Sequence, residues 1–204
     1  MAGAFGVLAL QGGFDAHVVA FRELGIEARE VRRVRELAGL AGLMIPGGES
    51  TTLINLMRDE PWFEAVRDFH ASGGVLAGTC AGAILLSREV RPEQPSLGLL
   101  GAVIERNAWG RQVDSFEARI EAPALGGSVD GVFIRAPRFR ALFPDVEVLA
   151  RHAGEPVLVR QGRIVAATFH PELTASRRLH RYVAGLAGQR ELVGAAGARA
   201  STIE

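Results

Sequence analysis

The single cysteine of the chain lies in a sequence context that suits a nucleophile. The pentapeptide Gly78–Gly82 (GTCAG) follows a buried apolar run at 75–77 and leads into an apolar helical segment that ends at Leu86. A sharp strand-to-helix turn of this form lifts one side chain into a cleft, and its glycines remove Cβ atoms that would clash. The start of a helix also favours the thiolate, the reactive form. Cys80 is the candidate nucleophile, although an isolated cysteine is more often a small buried apolar residue.

A base for this nucleophile is predicted at His170. It directly follows the apolar run 164–169, where a strand's carboxyl end presents catalytic residues, and Pro171 favours an extended backbone at the histidine. Residues i and i+2 of an extended segment face the same way, so Glu172 can orient the imidazole. The three side chains predict a Cys80–His170–Glu172 triad. Taken alone, the His-Pro-Glu segment would more readily be a turn with a surface acid.

A glycine-rich loop is the third candidate element of a site. Residues 46–50 (PGGES) separate a short apolar run at 43–45 from a helix that Ser50 or Thr51 would cap. The loop therefore reaches the same sheet edge as Cys80, and its glycine amides can approach a substrate oxygen closely. A Pro-Gly turn followed by a helix cap explains the segment equally well.

The other histidines suggest no further chemistry. His17 and His70 are expected at surface or half-buried helix positions, and His152 and His180 lie beside arginines without an acid at a useful spacing. No histidine pair has the spacing of a motif such as His-Glu-x-x-His, so neither a metal nor a cofactor is expected. Gly73-Gly74 precedes its strand, which argues against a dinucleotide-binding loop.

Composition excludes several classes of protein. The 204 residues are 48% hydrophobic, which suffices for a substantial core, and all 23 basic residues are arginine. Without lysine the chain has no P-loop lysine, Schiff-base lysine or Ser-Lys pair. One cysteine allows neither an intramolecular disulfide nor a cysteine metal cluster. The 23 acidic residues balance the charge to zero, which argues against a nucleic-acid partner.

Nothing in the sequence predicts a membrane segment or a secretory leader. The apolar runs fall far short of the about 20 residues that a membrane span needs, and no basic segment precedes an apolar core at the N-terminus. We therefore expect a cytoplasmic protein with no membrane association.

Alternating apolar runs and amphipathic segments predict an α/β fold. Strand, helix, strand and helix follow one another through the first half, which indicates a three-layer fold with a mostly parallel central sheet and helices on both faces. Strand-like segments of the second half are expected to be antiparallel additions and edge strands. Residues 1–188 form one predicted domain, and the Ala/Gly-rich residues 189–204 are predicted to be a flexible tail.

Several motifs together resemble a known family, the glutaminase subunits of pyridoxal 5'-phosphate synthase, which are class I glutamine amidotransferases. The resemblance covers about 5–186, nearly the whole chain, in the same order. A GTCAG elbow with a late His-Pro-Glu is shared by many amidotransferases. Three motifs narrow the resemblance to this subunit: residues 46–52 (PGGESTT), 110–117 (GRQVDSFE) and 132–137 (VFIRAP). Residues 10–12 (LQG), 105–107 (ERN) and 169–173 (FHPEL) also match the family.

The resemblance implies a reaction on L-glutamine. Cys80 would attack the side-chain amide to form a γ-glutamyl thioester, with His170 as acid and base and Glu172 completing the triad. The amides of Gly48 and Ala81 would form the oxyanion hole, the second because it follows the nucleophile at a helix start. The implied glutamine-binding positions are Gly48, Glu49, Ser50, Arg106, Ile134 and Arg135. Either arginine could equally belong to a structural ion pair.

The resemblance also implies a partner. The synthase subunit would receive the ammonia inside a large hetero-oligomer, in which several glutaminase chains surround a ring-shaped core and docking organises the oxyanion hole near Gly48. Two alternatives stay open at this point. The same elbow could serve another cysteine hydrolase or a peptidase, or the chain could be a non-enzymatic regulatory relative of the fold.

Overall fold

The computed structural model describes residues 3–108 and 115–199, with side chains up to 188. This part of the chain contains five α-helices: α1 (Phe14–Glu23), α2 (Ser50–Leu56), α3 (Trp62–Ala71), α4 (Ala81–Leu86) and α5 (Arg178–Arg199). Its first six strands are β1 (Phe5–Leu8), β2 (Ala28–Val31), β3 (Gly42–Ile45), β4 (Val75–Thr79), β5 (Ser87–Arg91) and β6 (Leu100–Glu105). The other six are β7 (Phe116–Ala122), β8 (Gly127–Phe133), β9 (Arg138–Leu142), β10 (Glu147–His152), β11 (Glu155–Gln161) and β12 (Ile164–Ala167).

A seven-stranded sheet forms the centre of the molecule, in the order β10-β11-β12-β4-β3-β1-β2. The five strands from β12 to β2 are parallel, and β11 and β10 extend the sheet antiparallel at one edge. A three-stranded sheet, β5-β6-β9, and the hairpin β7-β8 complete the fold. The predicted three-layer α/β class with a mostly parallel sheet is confirmed.

Each central strand is buried on both faces because helices cover the sheet on two sides. Along β3, Met44 points into one core while Leu43 and Ile45 point into the other, as the two-residue period of a strand requires. Helices α1 and α5 and the β7-β8 hairpin pack on the Met44 side, whereas α2, α3 and α4 pack on the opposite side with β5, β6 and β9. This double cover explains why the strands are short continuous apolar runs.

Two local expectations are wrong. The segment that ends at Phe169 contains β12, which pairs in parallel with β4 in the middle of the sheet and is not an edge addition. Helix α2 is capped by the Glu49 side chain, which accepts a hydrogen bond from the amide of Thr51, and not by Ser50 or Thr51. Strands β5 and β9 were not predicted.

Helix α5 continues to Arg199, so the backbone of 189–199 is helical, and 200–204 lie outside the described residues. The predicted flexibility of 189–204 stays a prediction. Residues 109–114, which include most of the GRQVDSFE motif, also lie outside the described part. No helix of the described residues is long and apolar enough to cross a membrane.

Candidate active site

The carboxyl ends of four parallel strands bring the candidate residues to one edge of the sheet. The loops after β1 and β3 are joined there, because the amide of Gly13 donates to the carbonyl of Gly47 at 3.1 Å. Cys80 follows β4, and its amide donates to the carbonyl of Ala167 at the end of β12 at 2.8 Å. His170 comes three residues after that strand. The sheet edge thus assembles residues that are far apart in sequence, as open α/β sheets do at their ligand sites.

Cys80 occupies a strained turn between β4 and α4. Its backbone has φ 47° and ψ −101°, a region that residues with side chains rarely adopt. Such a conformation costs about 1–3 kcal/mol and persists only where the surroundings impose it. One constraint is Gly82, because a Cβ atom there would lie 2.1 Å from the carbonyl oxygen of Ile45. The close approach of α4 to β3 therefore requires the second glycine of GTCAG and fixes the elbow.

Gly47 brings the PGGES loop against both the thiol and the base. A Cβ atom on Gly47 would lie 2.2 Å from Cε1 of His170 and 3.2 Å from Cβ of Cys80. Only a residue without a side chain fits beside the nucleophile and the imidazole at this point. The loop is thus part of the wall around Cys80 and His170, as the sequence predicted.

The predicted His170–Glu172 contact is present and buried. Nδ1 of His170 lies 2.8 Å from Oε1 of Glu172, and both residues are at most 9% exposed. The amide of His170 donates to the carbonyl of Val132 on β8 at 2.8 Å, which fixes the backbone of the base. A 3-10 turn at Pro171–Leu173 then folds Glu172 back toward the imidazole. Charge-assisted hydrogen bonds of this length are among the strong ones in proteins.

Electrostatics keeps the imidazole charged and the carboxylate ionised. Burial alone would lower the pKa of His170, but its hydrogen bonds and opposite charges with Cys80 and Glu172 outweigh burial and raise that pKa to about 10. Burial alone would raise the pKa of Glu172, but the hydrogen bond from His170 and the nearby His17 hold it below its usual value. An imidazolium beside the sulfur stabilises a thiolate, so the pair is suited to nucleophilic attack.

A small cleft opens next to the sulfur. All six residues that the resemblance implied for glutamine binding line this cleft, together with Cys80, Ile84 and Asn107. Glu49 forms ion pairs with both arginines of the lining: its carboxylate lies 3.4 Å from Arg106 and 4.0 Å from Arg135. One acid and two arginines complement a substrate that carries both an ammonium and a carboxylate group. Their binding roles stay a prediction.

The two predicted oxyanion donors flank the nucleophile. Ala81 is the first residue of α4, and the helical hydrogen-bond pattern begins only with the amide of Ile84 donating to the carbonyl of Cys80 at 3.1 Å. The amide of Ala81 therefore has no partner within the helix. Gly48 lines both the cleft and a second cavity on the His170 side of Cys80. The position of the two amides is compatible with an oxyanion hole, which stays a prediction.

Two buried histidines beside the triad were missed by the sequence reasoning. His17 and His180 are both 0% exposed, so the expected surface or half-buried position of His17 is wrong. Nε2 of His17 lies 3.3 Å from Oε2 of Glu172, and Nδ1 of His17 lies 2.9 Å from Nε2 of His180. Helical spacing was the signal available, because His17 follows Phe14 by three residues and precedes Phe21 by four on the buried face of α1.

Two glutamine side chains near the cleft were also missed as site residues. Oε1 of Gln11 accepts a hydrogen bond from the amide of Glu49 at 3.2 Å, and Oε1 of Gln94 accepts one from the hydroxyl of Ser50 at 3.1 Å. Gln11 belongs to the LQG motif, but neither residue has a neighbour in sequence that identifies such a contact. They hold the loop and helix start that carry Glu49 and Ser50.

Known proteins resemble the chain over nearly its whole length. The model of the SNO glutamine amidotransferase family matches residues 7–186. A relative from Thermus thermophilus, called pyridoxal 5'-phosphate synthase subunit PdxT, is 58% identical over 191 residues, which cover 92% of this chain and 100% of the relative. The PdxT subunit of Deinococcus radiodurans is 50% identical over 191 residues, or 91% of this chain and 97% of its own length.

Solved structures agree with this likeness. A crystal structure described as a glutamine amidotransferase superposes with a TM-score of 0.86 at 56% identity and covers 91% of this chain and 100% of the other. The structure of PurLQS from Thermotoga maritima has a TM-score of 0.66 at 15% identity and covers 90% of this chain and 98% of the other. At that identity the second likeness concerns the fold alone.

Proposed function

Because this chain belongs to the SNO glutamine amidotransferase family, we propose that it is the glutaminase subunit of a pyridoxal 5'-phosphate synthase. It hydrolyses L-glutamine to L-glutamate and ammonia and passes the ammonia to a synthase subunit. The observation that carries the proposal is the strained Cys80 elbow with the buried His170–Glu172 pair beside a cleft lined by Glu49, Arg106 and Arg135. Relatives at 50–58% identity bear the name of that subunit.

The first half of the reaction is acyl transfer to sulfur. The Cys80 thiolate attacks the side-chain amide carbon of glutamine, and the carbonyl oxygen becomes an oxyanion that the amides of Gly48 and Ala81 stabilise. His170 then donates its proton to the amide nitrogen, the C–N bond breaks, and ammonia leaves. The γ-glutamyl group remains on sulfur as a thioester.

The second half is hydrolysis of the thioester. Neutral His170 accepts a proton from water, whose oxygen attacks the thioester carbon and again places an oxyanion at Gly48 and Ala81. The C–S bond breaks, glutamate leaves, and the thiolate and imidazolium are restored. Glu172 accepts the hydrogen bond from Nδ1 of His170 throughout and thereby holds Nε2 as the nitrogen that exchanges protons.

Glutamine binding uses the charges around Glu49. An arginine pairs with the substrate α-carboxylate, for which Arg106 and Arg135 are both placed at the cleft, and Glu49 pairs with the α-ammonium. Ser50 and Ile134 complete the lining. In the described structure both arginines lie near Glu49, so substrate binding exchanges contacts within the chain for contacts with the two charged ends of glutamine.

The proposed partner is the protein that would use the ammonia released from glutamine. Ammonia needs an acceptor, and relatives that match nearly the whole chain are named as subunits of a pyridoxal 5'-phosphate synthase. The chain therefore docks on a synthase subunit in a large hetero-oligomer, and docking organises the oxyanion hole near Gly48. A cytoplasmic location belongs to the same proposal.

Covalent labelling tests the substrate class. A glutamine-analogue alkylator should modify Cys80, and free L-glutamine should slow that modification because both compete for one cleft. Peptides that contain glutamine should not slow it. Mass spectrometry of the labelled chain measures both effects, with Cys80→Ala as the control for the site. Equal protection by peptides would favour a cysteine peptidase and would contradict the proposed substrate.

A further inference from the structure

A chain of buried polar side chains continues from the triad into the interior. We propose that His17 is a positioning residue that holds the Glu172 carboxylate in place for catalysis, with His180 fixing the proton on the correct nitrogen of His17. The inference deepens the proposed function and rests on it. It adds a fourth and a fifth side chain, contributed by α1 and α5, to the line Cys80–His170–Glu172.

The second carboxylate oxygen of Glu172 needs a donor. Oε1 is paired with His170, but Oε2 is buried and, within the described residues, has no well-aligned hydrogen-bond donor. A buried carboxylate oxygen without a donor is costly. Nε2 of His17 stands 3.3 Å from it. Catalytic hydrogen bonds are often long or poorly aligned in a free enzyme and tighten in the substrate complex, so His17 is placed to supply the donor.

The contacts of His180 decide which tautomer of His17 is present. Nε2 of His180 lies 2.9 Å from Nδ1 of His17, while Nδ1 of His180 is buried without a partner among the described residues. If His180 carries its proton on Nε2, it donates to His17, whose own proton then sits on Nε2. That nitrogen lies 3.2 Å from the hydroxyl of Thr79 and 3.3 Å from Oε2 of Glu172. In this arrangement only the lone pair on Nδ1 of His180 has no partner among the described residues. In the reverse arrangement the proton of His180 sits on its buried Nδ1 without an acceptor. The lone pair on Nε2 of His17 then points at the carboxylate of Glu172.

The surrounding charges agree with neutral rings in this chain. Burial is the largest influence on His17 and lowers its pKa to about 4, with the positive His170 acting in the same direction and Glu172 opposing it. Burial likewise lowers the pKa of His180 to about 2, and Arg177 adds to that effect. Each ring therefore has one proton at neutral pH, as the directed hydrogen-bond chain requires.

Packing fixes the position of both rings. Nε2 of His17 also lies 3.2 Å from the hydroxyl of Thr79, the residue before the nucleophile, so α1 is tied to the end of β4. The His180 ring meets the edge of Phe21 at a centroid distance of 5.0 Å. A polar ring at a fully buried position is a poor choice for packing alone, because an apolar side chain fills the space without needing partners. The arrangement thus suits a role in orienting Glu172.

Two substitutions at His17 separate positioning from packing. His17→Phe keeps an aromatic ring but removes both nitrogens, whereas His17→Gln supplies an N–H at about the reach of Nε2. We expect His17→Phe to lower kcat for glutamine on the order of 10- to 100-fold with little change in KM, because the base is misplaced while the cleft is intact. His17→Gln should recover a large part of that loss. Val18→Ala, which opens the same helix face without touching the polar chain, is the matched control.

A second readout does not depend on glutamine. The rate of Cys80 alkylation by iodoacetamide, followed from about pH 5 to about pH 9, reports how well His170 stabilises the thiolate. Without its donor Glu172 protonates at higher pH, and the pKa of His170 falls with the loss of its partner. The acid limb of the alkylation profile should therefore move to higher pH in His17→Phe, and not in Val18→Ala.

The results for the His17 variants either support or overturn the positioning role of His17. Equal kcat and equal alkylation profiles for His17→Phe and Val18→Ala would overturn the role of His17. So would His17→Gln losing as much activity as His17→Phe at the same melting temperature. If the wild-type chain with its synthase turned over no glutamine, the proposed function would fail, and the alkylation comparison would still decide whether His17 positions Glu172.

Discussion

The base His170 changes its acidity in the course of the proposed reaction. Its pKa of about 10 depends in part on the hydrogen bond and the charge of Cys80. When the sulfur becomes a thioester, both are lost, so the pKa of the imidazole falls from that value while Glu172 still supports its charged form. The same residue is thus an acid while ammonia leaves and a base when water attacks. Acylation of the nucleophile itself switches the role of the base.

At Glu172 the contribution of charge can be separated from shape. Glu172→Gln keeps the side-chain length but removes the charge that supports the imidazolium, so the pKa of His170 should fall. We expect kcat for glutamine to drop on the order of 10²- to 10⁴-fold, as when the acid of a related triad is neutralised. Steady-state kinetics measure the effect. Glu36→Gln, the same change at a partly exposed carboxylate that caps the amides of Arg32 and Arg33, should retain wild-type kcat. A fully active Glu172→Gln would remove Glu172 from the mechanism.

At the residue scale, the sequence predicted the site residues that follow the ends of strands. Cys80 and His170 were predictable because a Gly-x-Cys-x-Gly turn and a His-Pro-Glu segment after an apolar run are local patterns. The expected extended geometry of that segment is wrong, because a 3-10 turn at Pro171–Leu173 brings Glu172 to the imidazole. His17 was not predicted, because its partners Glu172 and His180 are more than 150 positions away and only tertiary contacts join them. Its spacing from Phe14 and Phe21 is a signal of burial that the expected surface or half-buried position did not take into account, and that spacing does not indicate a polar role.

At the scale of elements, parallel pairing explains why four distant loops meet. The βα order of the first half predicted β1, β3 and β4 as strands of a mostly parallel sheet, since each is a short apolar run followed by a helical segment. The central place of β12 was not predictable from its position late in the chain. Strands β5 and β9 escaped prediction because alternating charged residues, as in SREVR and RFRAL, weaken their apolar signal.

The burial of His180 where α5 packs against α1 makes the free energy of unfolding depend on pH. The pKa of His180 lies far below its unfolded value near 6.5, so below about pH 6.5 the unfolded chain takes up a proton that the folded chain excludes. The contribution is therefore full above that pH and is lost as pH falls. From pH 7 to pH 5 it amounts to about 2 kcal/mol of unfolding free energy for one such histidine.

His180→Gln tests this contribution. Glutamine keeps an N–H near Nδ1 of His17 but does not titrate, so the loss of unfolding free energy between pH 7 and pH 5 should shrink by about 2 kcal/mol. Urea unfolding at the two pH values measures it. Val183→Ala, a change at a buried residue of α5 that does not titrate, is the control and should lose as much as the wild type. An unchanged loss in His180→Gln would mean that the folded chain protonates His180.

At the scale of the whole molecule, composition and site agree with the proposed role of the chain as the glutaminase half of a two-protein reaction. The chain has no lysine and so no amine for imine chemistry, and its cleft holds a cysteine suited to amide hydrolysis. The predicted fold class followed from apolar periodicity, which reports the layers of a globular domain. The partner surface did not, because the residues that touch a second protein have no periodic signature in one sequence.

Glutamine turnover by the purified chain, measured with and without its synthase subunit, tests the central claim most directly. Glutamate and ammonia should appear in equal amounts, faster when the synthase subunit is present, and Cys80→Ala should abolish the release. Cys80→Ala keeps the fold because it replaces a small buried side chain with one of similar size. Glutamate release that persists in Cys80→Ala, or a wild-type chain that releases none with its partner, would contradict the account.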